Sequence, residues 1–217
     1  VSYVNVVSAT EGFEHGNTAL GCQFGEGTYV YGNDALCFEY AQNVVAEEDM
    51  DEALVVVVMN SDAYAGTCFM YHPIGTTKDY GSGAAVAYFP KGTDEEMFAQ
   101  LLHHEANGHG FAKLADEYAY EDMGEIPSSV ADDHRRQQND WGWWKNVDFT
   151  SDVTQVRWAN FVEDERYADA GLGAYEGGLT YWSGVWRPTD YSIMRYNTGG
   201  FNAPSREAIY YRIHKLA

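Results

Sequence analysis

The longest unbroken apolar run in this 217-residue chain is Ala53 to Met59, and seven residues rich in valine allow few structures. The run is far short of the roughly 18 residues that a membrane-spanning helix needs, so no insertion into a bilayer is expected. Acidic residues precede it and Asn60-Ser-Asp follows it, which is the form of a strand covered on both faces and therefore central in its sheet. A second apolar stretch, Ala84 to Phe89, lies between a glycine pair (Gly81, Gly83) and Pro90-Lys-Gly92. It fits a strand ended by a turn.

A helix should follow at once. Thr93-Asp-Glu-Glu96 has capping-box form with Thr93 as the N-cap, and Met97, Phe98, Leu101 and Leu102 supply a buried face. Earlier in the chain Asp34 can cap a segment whose apolar face is Leu36, Tyr40, Val44 and Val45. At the C-terminus Ser205 can cap a helix carrying Ile209, Ile213 and Leu216. From Tyr120 to Asp190 helical periodicity is weak, and all six tryptophans (Trp141, Trp143, Trp144, Trp158, Trp182, Trp186) sit there. That density fits the core of a loop-rich subdomain or a glycan or peptide platform. No repeat or linker interrupts the chain, so one α/β (α+β) domain over 1–217 is expected, with sheet and helix in 1–119 and an aromatic-rich part in 120–217.

Charge narrows the partners. Thirteen Lys+Arg against 33 Asp+Glu leave a formal net charge of -20, which repels phosphate backbones and anionic lipid; no nucleic-acid partner is expected. Cys22, Cys37 and Cys68 are odd in number and lack CxxC spacing, which permits at most one internal disulfide and argues against a cysteine zinc site.

The chemistry concentrates in Leu102-His-His-Glu-Ala-Asn-Gly-His-Gly110. Zinc peptidases use HExxH because residues four apart differ by about 40° around a helix and can share one ion. His104 and His109 are five apart, which in a regular α-helix turns one side chain about 140° from the other. A π-bulge near Asn107-Gly108 would absorb the extra residue and return both imidazoles to one face. Glu105 then stands where a carboxylate can take a proton from zinc-activated water. A tetrahedral ion needs a third protein ligand, for which Asp116 is preferred and Glu117 is the alternate. His103 is left to packing or support of the site, and His15, His72, His134 and His214 have no ligand spacing.

His104-Glu-Ala-Asn-Gly-His-Gly-Phe-Ala-Lys-Leu-Ala-Asp-Glu-Tyr118 resembles the active-site segment of the bacterial IgA-peptidase family of zinc metallopeptidases, which carries HExxH where this chain has HExxxH. The longer spacing resembles that of the dipeptidyl-peptidase III family. Gly173-Ala-Tyr-Glu-Gly-Gly178, Val185-Trp-Arg-Pro188, Ser192-Ile-Met-Arg-Tyr196 and Phe201-Asn-Ala-Pro-Ser-Arg206 extend the resemblance over the second half. Ser192 to Tyr196 also resembles the Met-turn of the metzincins, with Met194 at its centre and Tyr196 at the offset where astacin-like members hold an oxyanion-stabilising tyrosine.

The resemblance implies a metzincin-like fold with a twisted mixed sheet, a zinc helix and a Met-turn. It also implies a Zn(2+) cofactor, secretion or a cell-envelope location, and protein or glycoprotein substrates cleaved by a monomeric endopeptidase. Extended substrate would lie along Ala84 to Phe89 or, in its place, Thr67 to Tyr71. The competing expectation is an exported glycan- or glycoprotein-binding domain with a degenerate or structural metal site. Arg187 and Arg195 are expected in internal ion pairs and Glu176 in a turn.

Overall fold

The computed structural model describes residues 18–75 and 80–216; His15 lies outside them. It is a mixed α+β structure with three small sheets and several helices. The chain divides into two compact units, one comprising residues up to Ile74 with Gly83–Gly110, the other Gly75–Ser82 with the chain from Phe111 onward.

Among the described residues the first unit begins with the antiparallel pair β1 (Gln23–Phe24) and β2 (Val30–Tyr31), followed by helix α1 (Asp34–Ala41). Strands β3 (Leu54–Met59), β4 (Thr67–Met70) and β5 (Ala85–Pro90) form a mixed sheet in the order β3-β5-β4, with β3 parallel and β4 antiparallel to β5. Among the described residues the central strand is therefore β5, and the valine run expected there lies at the edge. All six residues of β5 are buried, whereas Val56 and Val58 of β3 are 39% and 48% exposed. β-branched residues report a preference for extended backbone, not a position in a sheet, and the small Ala85 and Ala87 are what let β5 be covered on both faces.

Helix α2 (Glu95–Leu101) runs directly into a π-helix over Leu102–Phe111. Leu101 and Ala106 pack with Ala87 and Phe89, and Met97, Phe98 and Leu102 border the same cluster, as the sequence face requires. The caps differ from expectation by a residue or more. Asp94 replaces Thr93, its carboxylate accepting from the Met97 amide at 2.9 Å; Asn33 replaces Asp34, accepting from the Leu36 amide. Helix α1 ends before Val44 and Val45 and buries Cys37 and Ala41.

In the second unit a parallel pair, β6 (Ala119–Glu125) and β8 (Thr180–Arg187), is completed by antiparallel β7 (Tyr175–Gly178) between them in sequence, in the order β6-β8-β7. Helix α3 (Ser128–Trp141) is a 14-residue element where no helix was expected. Its buried residues are only Ala131 and Gln138, too narrow a stripe to give an apolar period. Arg135–Asp132 and Arg136–Asp133 pairs run along its surface, and Gly142, at φ 70°, ends it in the left-handed conformation.

Helix α4 (Ala159–Glu163), the short α5 (Ile193–Tyr196) and the terminal α6 (Ala203–Leu216) complete the unit. The α6 cap is Asn202, whose Oδ1 accepts from the Ser205 amide and hydroxyl. Its buried face is Ala208 and Arg212, while Ile213 and Leu216 are about half exposed. Three tryptophans, Trp143, Trp144 and Trp158, are core residues, and Trp182 is exposed. No disulfide joins Cys22, Cys37 or Cys68.

Candidate metal centre

The π-helix solves the spacing problem raised by HExxxH. Hydrogen bonding from i to i+5 makes one turn hold the extra residue, so His109 returns over His104 instead of pointing away from it. The two Nε2 atoms lie 3.1 Å apart and the rings meet edge to face, centroids 4.8 Å apart. Two imidazoles bound to one tetrahedral zinc at about 2.0–2.1 Å would hold their nitrogens about 3.4 Å apart. The observed separation is close to that value. Both histidines are buried, at 6% and 8% exposure.

Glycine is what lets this wide helix sit where it does. A Cβ on Gly110 would come within 2.5 Å of Leu54 Cδ1 and 3.4 Å of Cys68 Sγ, so the end of the π-helix lies directly on β3 and β4. Lys113, between the π-helix and Asp116, is a non-glycine residue at φ 53°. One donor atom each from His104, His109 and Asp116 lies within 4.8 Å of the others, the one such group of three among the described residues. Two imidazoles and a carboxylate are donors that zinc accepts, and three protein ligands leave a fourth position open.

The segment that carries Asp116 is fixed from both sides. Asn146 accepts from the Ala115 amide at 2.8 Å and donates to the Ala115 carbonyl at 2.9 Å. The Asp116 carbonyl accepts from the Leu179 amide, and the Glu117 amide donates to the Met194 carbonyl. Glu117, the alternate ligand, is fully buried. Its Oε1 accepts from Asn146 and Asn202, each at 2.9 Å, and its Oε2 from Ser192 at 2.6 Å and Asn202 at 3.1 Å. Burial pushes its carboxyl pKa up, opposed by those donors and by the charge of Arg187. Its chemistry is to tie the Asp116 segment to the Ser192–Met194 turn.

Met194, expected at the centre of a Met-turn, lies in α5 and is completely buried with Ala112, Leu114, Ile193 and Ala208. Tyr196 is about half exposed, its ring stacked on Tyr191 at 5.3 Å and covered by the Arg195 guanidinium. Arg187 and Arg195 both pair with Asp190, and Arg187 also donates to the Glu176 and Gly177 carbonyls, so both arginines are engaged internally. Glu176 lies in β7, where it accepts from the Gly184 amide. His103 is exposed and bonds Asn107 at 2.9 Å; His72, His134 and His214 stand outside the cluster of three.

Glu105 is buried at 6% exposure. The HExxxH pattern singles out Glu105 but not the residue it packs against. A Cβ on Gly66 would fall 2.7 Å from Glu105 Cδ and 2.8 Å from Cγ, and closer still to Oε1. No local pattern marks Gly66, because the contact spans 39 positions of sequence. No family model and no curated protein matches this chain.

Proposed function

We propose that the protein is a zinc-dependent endopeptidase of the metzincin-like kind, acting on extracellular proteins or glycoproteins. The observation that carries this reading is the 3.1 Å approach of two buried imidazoles with a buried glutamate between them in sequence. His104, His109 and Asp116 would hold the ion. A zinc ion there would supply Lewis acidity toward a peptide carbonyl and lower the pKa of water to about 7.

The chain's own groups perform the proton transfers. Glu105 accepts the proton of the attacking water at its carboxylate and delivers it to the leaving amine nitrogen. Its burial excludes bulk water from that exchange and strengthens its interaction with developing charge. Tyr196 is assigned the second polar role, a phenol donating to the carbonyl oxygen as charge builds there. Met194 supports the turn that presents it. The resemblance to the IgA-peptidase family supports the assignment and suggests secretion or a cell-envelope site, with a monomer as the working form.

The glycan-binding reading loses ground because Trp143, Trp144 and Trp158 are spent in the core. The test is Glu105→Gln in the zinc-loaded protein. Stoichiometric zinc with cleavage of a mixed peptide library reduced by at least about 100-fold, the lower range for a general base, supports the reading. Unchanged cleavage rejects it.

A further inference from the structure

We infer that Gly66 is a positioning residue, and that the space left by its missing side chain is the seat of the Glu105 carboxylate. The inference rests on the peptidase reading for its catalytic consequence and on geometry alone for the contact. The three atoms nearest to a Cβ built on Gly66 are Oε1, Cδ and Cγ of Glu105, all closer than any real Cβ comes to a neighbour. The glutamate side chain therefore lies flat across the Gly66 backbone.

The backbone at Gly66 is held in place, so it is the Glu105 side chain that must give way. The Gly66 amide donates to the Thr28 carbonyl at 3.0 Å, and its carbonyl accepts from the Thr67 hydroxyl at 2.8 Å, which in turn accepts from the Val30 amide at 3.1 Å. Those bonds fasten the mouth of β4 to β2. On the other side Glu105 is in the first half of the π-helix, whose neighbouring residues His104 and Ala106 are both buried. The backbone at Gly66 is not left-handed, so alanine is conformationally acceptable there. Space, not φ, demands the glycine.

Adding one methyl at position 66 must displace the Glu105 carboxylate and leave the histidines where they are. A carboxylate that acts on a water proton works only at hydrogen-bond range, and a misplacement of about 1 Å costs about 100-fold in rate. Gly66→Ala should thus lower kcat by about 100-fold while KM and bound zinc stay at wild-type values. Adding Glu105→Asp to Gly66→Ala shortens the acid by one methylene and should recover part of the lost kcat, a rescue that a general packing defect would not show.

The contact is tested without activity by a thermal-unfolding cycle over Gly66→Ala, Glu105→Ala and the double variant, all in chelator. Gly66→Ala should lower the melting temperature in the wild-type background and hardly change it beside Glu105→Ala. Equal shifts in both backgrounds overturn the seat, as does a double variant that fails to fold when Glu105→Ala alone folds. A folded Gly66→Ala protein with wild-type kcat overturns the positioning role. If the wild-type chain itself cleaves nothing, the peptidase reading falls and the catalytic role of Gly66 with it, and non-additive melting shifts still establish the contact.

Discussion

Replacing Glu117 by glutamine changes almost nothing in size and should nevertheless destabilise the protein. Asn202 has no freedom to adapt: its Oδ1 is taken by the Ser205 amide and hydroxyl, so its Nδ2 must face Glu117. Asn146 is fixed likewise, its Oδ1 held by the Ala115 amide. Glu117 thus receives two amide donors and the Ser192 hydroxyl, an environment that only an acceptor-only group satisfies. A glutamine keeps its carbonyl at the Oε1 position and turns its NH2 toward Ser192 and Asn202. The Ser192 hydroxyl can rotate to accept, and Asn202 keeps its 2.9 Å bond at the Oε1 position, but its 3.1 Å bond to Oε2 is replaced by a donor facing a donor. Loss of one hydrogen bond to a charged group costs about 1.5–3 kcal/mol, partly offset because a neutral amide is easier to bury. A net loss of about 2 kcal/mol corresponds to a fall of about 4–8 °C in a domain of this size. Scanning calorimetry of Glu117→Gln in chelator measures it directly. A melting temperature equal to or above wild type would mean that Glu117 is protonated at neutral pH and acts as a donor itself, refuting the acceptor-only reasoning.

Further outcomes follow from the same geometry. Deleting Asn107 restores a four-residue spacing between the histidines; since one turn is complete in either helix type, zinc should be retained by elemental analysis, and its loss would contradict the equivalence of the two turns. Gly110→Ala drives a methyl into Leu54, and overpacking of this kind costs about 1–3 kcal/mol; an unchanged urea midpoint would show that the π-helix does not lie on β3 as closely as described. Burial pushes the Cys37 thiol up to about 11 from an ordinary value of 9.0. Because the folded state favours the protonated thiol, its contribution is complete below about pH 9 and is lost as pH rises through about 11. Urea unfolding should show Cys37→Ala losing less stability than wild type between these limits, and identical pH profiles would remove that assignment.

The parts of the fold that were legible in the sequence are those where a local rule acts alone. The β5 strand was bounded by its glycine pair and Pro90, and the α2 face by Met97, Phe98 and Leu101. The need for an i to i+5 turn followed from the His104–His109 separation, although a single bulge understates the ten-residue π-helix that forms. The order of strands was not legible, because valine content does not distinguish β3 at an edge from β5 at the centre. Helix α3 carries no apolar period, because ion pairs line its surface and only Ala131 and Gln138 are buried. Caps were misplaced where two polar residues stood side by side, as with Thr93 and Asp94 or Asn33 and Asp34. Glu117 looked like an alternate ligand because ligands and buried structural carboxylates are the same residue type; only the positions of Asn146, Ser192 and Asn202 separate the roles.

The convergence of His104 and His109 on one cation is tested most directly by X-ray absorption at the zinc edge on protein loaded with a single equivalent of zinc and dialysed. Retained zinc is expected, with two imidazole nitrogens at about 2.0–2.1 Å and the remaining positions filled by oxygen. Zinc lost on dialysis, or a spectrum without imidazole scattering, would contradict it.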